Sequence, residues 1–131
     1  MLQRIQSLFS LGFIVLTVVS VLWFSIDLKP EFDSFQWLAD SMPYLLSLLS
    51  LISLMLFSKR TLQLRLNSII IIVSFIFETG LFFQVFQGFK NMNDSFVGHF
   101  LLILSSWAML FLANRYIRKD EALIRSVDRL R

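Results

Sequence analysis

Apolar residues gather into four long runs along this chain, and most of its charges fall in the segments between them. Ile5–Ile26, Ser41–Ser58 and Ser95–Asn114 contain no charged side chain, and Leu66–Phe89 is broken only by Glu78. Each run matches the ~20 apolar residues that carry a helix across a bilayer. The pattern predicts an all-α fold, an antiparallel bundle of four transmembrane helices. The spans are placed at about 7–26, 41–58, 67–87 and 97–114, in one membrane domain that takes in the whole chain. The last helix is expected to run on as a basic cytoplasmic tail over 115–131.

Composition sharpens this picture. Hydrophobic residues make up 56% of the 131 residues, charged residues only 16%, and mean hydropathy is +0.73. A soluble domain has ~45–50% apolar and ~25% charged residues, so four spans leave no room for a separate soluble module. The absence of cysteine excludes disulfides, thiol catalysis and thiolate metal sites. The first run follows a basic start, Met1-Leu2-Gln3-Arg4, as a signal peptide would. It exceeds the roughly 7–15 apolar residues of a signal sequence and no A-x-A-like site follows, so it reads as a retained anchor.

The net charge of +3 would suit a nucleic-acid partner, but its distribution follows membrane topology instead. Arg4, Lys59, Arg60, Arg65, Arg115, Arg118, Lys119, Arg125, Arg129 and Arg131 fall on one side, against Lys29 and Lys90 on the other. By the positive-inside rule both termini are cytoplasmic. The outer loop Asp27–Asp40 has a cap-like Asp33-Ser34-Phe35-Gln36, with Phe32, Phe35 and Leu38 at helical spacing and Trp37 beside them. It reads equally as a short interfacial helix or as a loop whose aromatics cap the bundle, with Pro43 in the first turn of span two.

The two ends of the chain carry a family likeness. Met1-Leu2-Gln3-Arg4-Ile5-Gln6-Ser7-Leu8, Ala113-Asn114-Arg115-Tyr116-Ile117-Arg118-Lys119-Asp120-Glu121 and Val127-Asp128-Arg129-Leu130-Arg131 are the segments concerned. With them the chain resembles a Bacteroidota family of small four-span inner-membrane proteins, classed as a domain of unknown function. The resemblance implies a bacterial inner membrane and four helices, and brings no activity, cofactor or catalytic residue.

Glu78 is the sharpest candidate for chemistry, because a carboxyl within a span is costly and usually faces the bundle interior. Counting depth outward from a loop centred near Met92 sets Glu78 level with Ser105 and Ser106, and the midpoints of spans one and two near Thr17 and Ser50. The count suggests a polar layer of Thr17, Ser50, Glu78, Thr79 and Ser106. With one acid and no base among them, it reads first as a protonated carboxyl bonded to serine hydroxyls, and second as a proton or cation site. His99, near the outer end of span four, reads as an interfacial polar group separated from Glu78 by ~15 Å of helical rise. With no cysteine and no second histidine it makes no metal site alone. Ser47, Ser50 and Ser53 read as a close-packing stripe, with a hydroxyl-lined path as the alternative. The fifteen phenylalanines read as bundle filling and lipid contact, with an apolar quinone or lipid cleft as the alternative.

No nucleotide, hydrolase or zinc-protease motif is present in the chain, so the sequence reads as non-enzymatic and without a cofactor. The basic residues Arg115, Arg118, Lys119, Arg125, Arg129 and Arg131 form a docking surface for anionic lipid head groups or for a partner such as a ribosome or translocon. The function expected first is a non-catalytic accessory or scaffold subunit of a larger inner-membrane complex or homo-oligomer. A small proton- or ion-coupled transporter or channel centred on Glu78 is the alternative.

Overall fold

The computed structural model describes residues 2–24, 33–56, 58–87 and 94–128. They form four helices, α1 (Leu2–Trp23), α2 (Asp33–Met55), α3 (Arg60–Gln87) and α4 (Asp94–Asp128). All four are long and apolar enough to cross a membrane. Each helix packs on its neighbours in chain order, and α4 closes the ring on α1. This is an antiparallel four-helix bundle, as the four runs predict, with α1 and α4 the most closely packed pair.

The helices extend past the charge-free runs. α2 begins at Asp33 rather than near Ser41, so residues 33–40 of the stretch read as an interfacial helix or a loop are the first part of α2, and residues 27–32 of that stretch lie outside the described set. Pro43 consequently lies inside the helix instead of in its first turn. A proline there leaves the carbonyl four residues earlier without its usual donor, a defect that membrane helices tolerate where neighbours pack against it. Pro43 is buried. α3 starts at Arg60, directly after a turn in which the Lys59 N–H donates to the Leu56 carbonyl at 2.8 Å.

α4 is 35 residues long, about 52 Å at 1.5 Å per residue, and so exceeds the ~30 Å hydrocarbon core. Its extension stays tied to the bundle for a further turn or two. Tyr116 stacks on Phe9 of α1, Ile117 is fully buried, and Asp120 pairs with Arg60 of α3 at 2.8 Å. Beyond that clamp Leu123 and Ile124 are exposed. The side chains of Val127 and Asp128, residues Arg129, Leu130 and Arg131, and the loop residues Lys29, Pro30 and Lys90 lie outside the described set.

The interior is more polar than that of a soluble bundle. Among the described residues fourteen polar or charged side chains are buried beside eleven hydrophobic ones, while Leu8, Leu11, Val15, Leu48, Ile72 and Ile76 point outward. Lipid tails are as apolar as leucine, so apolar burial does little to drive these helices together. Close packing and interhelical hydrogen bonds must hold them. Two apolar clusters alternate with the polar groups. Phe13, Leu46, Ile70 and Leu110, one from each helix, fill the middle. Ala39, Phe77, Leu81 and Phe96 fill the end nearer the α3–α4 connection.

Candidate functional site

Three side-chain bonds fix how α2, α3 and α4 slide past one another. The Ser53 hydroxyl donates to Asn67 Oδ1 at 2.6 Å, and Asn67 Nδ2 donates to Asn114 Oδ1 at 2.9 Å. Further along, Trp107 Nε1 donates to the Ser74 hydroxyl at 2.9 Å. This register sets Ile103, not Ser106, opposite Glu78.

The layer inferred from counting therefore divides. Ser106 is buried about one turn from the level of Glu78, and its hydroxyl donates to the Ile103 carbonyl of its own helix at 2.7 Å. Ser50 lies opposite Ile70, about two turns or ~12 Å from Glu78. Thr79 is exposed on the outer face of α3 and back-bonds to Phe75 at 2.7 Å. Thr17 is buried, one turn from Ser20, and its hydroxyl donates to the Phe13 carbonyl at 2.9 Å.

Glu78 instead meets His99. The imidazole Nε2 lies 3.5 Å from Glu78 Oε1, with both side chains about 95% buried. The expected separation of ~15 Å is wrong, as is the interfacial placing of His99, which is 3% exposed. Two long side chains bridge the one-turn offset between Ile103 and His99. The pair lies at the depth of the second apolar cluster, where Phe77 adjoins Glu78 in the chain and Phe96 lies about one turn from His99.

A third contact orients the ring. His99 Nδ1 lies 3.3 Å from the Ser20 carbonyl of α1. A carbonyl oxygen only accepts, so Nδ1 carries hydrogen in this contact and Nε2 is the nitrogen that faces the carboxyl. The 3.5 Å separation exceeds a good N–H···O bond by a few tenths of an ångström, and the buried Nε2 makes no hydrogen bond among the described residues.

The serine stripe of α2 faces inward throughout. Ser47 back-bonds to Tyr44 at 2.7 Å, Ser53 reaches Asn67, and the buried Ser50 hydroxyl has no partner among the described residues. Gln63, fully buried on α3, has neither amide atom paired among those residues. Arg115, Arg118, Lys119 and Arg125 are exposed, Arg125 pairs with Glu121 at 2.6 Å, and Arg129 and Arg131 fall outside the described residues. The sequence reading passed over Asn67, Asn114 and Gln63. Polar residues at the edges of apolar runs are common there, and only their packing distinguishes these three.

The fold and this interior define a multi-pass membrane protein of the four-helix-bundle class, with a carboxyl–imidazole pair enclosed among its helices. Residues 26–130 match the family model described as a domain of unknown function, DUF4293, and the chain belongs to that family. No curated protein and no solved structure matches the chain.

Proposed function

We propose that this protein is a small proton-coupled transporter or channel, without enzymatic activity, whose exchangeable proton is held by Glu78 and His99. The carrying observation is the buried 3.5 Å approach of Nε2 to Oε1, with Nδ1 committed to the Ser20 carbonyl. A carboxyl beside a base passes a proton with little movement of heavy atoms. Full loss of that proton strands a carboxylate in apolar surroundings, at a cost of several kcal/mol. Release is therefore coupled to entry of water or a cation, or to helix movement. The unpaired Ser50 hydroxyl and Gln63 amide supply buried polar positions toward the other end of the bundle, where water finds hydrogen-bonding partners. The proposed setting is the inner membrane of a Bacteroidota cell, with both termini in the cytoplasm as the basic residues direct.

The test is proton flux in liposomes that carry an imposed pH gradient and a trapped pH-sensitive dye. Wild type should dissipate the gradient faster than empty liposomes. Glu78→Gln and His99→Gln should each reduce the rate at least about tenfold, with unchanged circular dichroism and gel-filtration profile. The reading fails if wild type matches empty liposomes, or if both variants conduct like wild type.

A second reading rests on the end of α4. Past the Arg60–Asp120 clamp, exposed Leu123 and Ile124 adjoin exposed Lys119 and Arg125, an amphipathic segment suited to docking on a larger membrane complex or a second copy. In that reading the protein is a non-catalytic accessory or scaffold subunit. Truncation after Glu121 keeps the clamp, so the four helices should survive while co-purifying subunits identified by mass spectrometry are lost. Retention of every subunit by the truncated chain rejects docking through the tail.

A further inference from the structure

The seam between α3 and α4 opens at the end of the bundle where both helices meet their basic segments. These two helices are the least closely packed neighbours in the ring. A groove of about 450 Å³ lies between them, lined by Ser68, Ile71 and Ile72 of α3 and by Phe111, Asn114, Arg115 and Arg118 of α4. Its walls are apolar along Ile71, Ile72 and Phe111, and Ile72 and Phe111 are exposed in the apolar part of their helices. Its mouth is cationic. Arg115 and Arg118 immediately follow the charge-free stretch that ends at Asn114, the depth at which a span reaches the head groups.

The carboxylates near that mouth are already engaged. Asp120 pairs with Arg60 and Glu121 with Arg125, and Arg115 and Arg118 have no carboxylate partner among the described residues. Asn114 accepts from Asn67 through Oδ1, and its Nδ2 has no protein acceptor among those residues, leaving one further donor beside the two guanidiniums. The feature thus combines fork-shaped donors for a phosphate with an apolar channel that continues into the hydrocarbon region. A soluble anion would leave the channel bare, an uncharged lipid would leave the guanidiniums unpaired, and a zwitterionic head group would bring its own ammonium beside two guanidiniums.

We propose that this groove binds an anionic glycerophospholipid, with Arg115 and Arg118 on the phosphate and one acyl chain along Ile71, Ile72 and Phe111. The site is distinct from the Glu78–His99 pair, and its occupancy does not depend on proton movement.

The test is native mass spectrometry of the full chain after exchange into detergent micelles with equal phosphatidylglycerol and phosphatidylcholine. Wild type should retain phosphatidylglycerol over phosphatidylcholine by roughly tenfold or more, the scale set by two basic residues near a membrane surface. Arg115→Gln with Arg118→Gln should remove that preference. Lys119→Gln, a neighbouring cation that does not line the groove, should leave it intact. Ile72→Trp should reduce retention of either lipid by filling the channel while all cations remain, and gives a reading even if the double arginine variant misfolds. Equal retention of the two lipids by wild type overturns the proposal. So does a loss of preference in Lys119→Gln as large as in the arginine variant, which would mean diffuse surface attraction. Displacement of the lipid by glycerol 1-phosphate at equal concentration would show that the channel contributes nothing, and would also overturn it.

Discussion

Asn67 is fully buried where three helices meet, and Asn67→Leu removes its amide while keeping the branched heavy-atom skeleton. Two interhelical bonds disappear, the 2.6 Å bond from Ser53 and the 2.9 Å bond to Asn114. Such bonds are worth ~0.6 kcal/mol on average and up to ~1.7 kcal/mol in a membrane bundle. The two stranded partners then fare differently. Ser53 can turn its hydroxyl to a carbonyl of its own helix, as Ser47 already does with Tyr44 at 2.7 Å. The Asn114 amide oxygen has no equivalent escape, and a buried unsatisfied acceptor costs about 1–3 kcal/mol. The expected loss is therefore about 2–4 kcal/mol. It can be read from reversible unfolding in mixed micelles of a mild detergent and dodecyl sulfate, followed by circular dichroism. Ser53→Ala alone should cost less, and the double variant should cost less than the sum because both remove the same bond. Stability of Asn67→Leu within about 0.5 kcal/mol of wild type, or strict additivity with Ser53→Ala, would refute the assignment of this network as a clamp between helices.

Gln63→Leu should stabilise the bundle by about 1–3 kcal/mol in the same assay if the amide is dry at rest, because neither amide atom has a protein partner among the described residues. Destabilisation would show that water already occupies the position in the resting protein. Gly12→Ala should be neutral or mildly stabilising, since a methyl there meets Met109 at an ordinary 3.5 Å and alanine gains up to about 1 kcal/mol of helix propensity. Gly98→Ala would drive its methyl into the Phe24 ring and should be the less stable of the two, with the reverse order rejecting this packing of α1 on α4. Reporter fusions after Ser58 and at the C-terminus should read cytoplasm, and a fusion after Lys90 should read the outside. An outside C-terminus would overturn the orientation taken from the ten basic residues Arg4, Lys59, Arg60, Arg65, Arg115, Arg118, Lys119, Arg125, Arg129 and Arg131.

The number of helices and their up-and-down order could be read in the chain itself, because the cost of placing a charge in hydrocarbon is local and leaves its mark residue by residue. Helix ends were less legible. Asp33 and Asp40 mark where charge stops, whereas backbone hydrogen bonding carries α2 through both of them and through Pro43. Rotation about each axis was not legible at all, since runs that are apolar almost all round give little sign of which face turns inward. Thr79 follows Glu78 directly in the chain, yet one points outward and the other inward. Depth failed for a related reason. Centring the loop near Met92 shifts α4 against α3, and the true register, set by Ser74–Trp107 and Asn67–Asn114, moves Glu78 away from Ser105 and Ser106. The meeting of Glu78 with His99 is a property of the tertiary structure alone. It needs two helices in one register, two rotations, and a carbonyl of a third helix to orient the ring, none of which a local pattern of residues encodes.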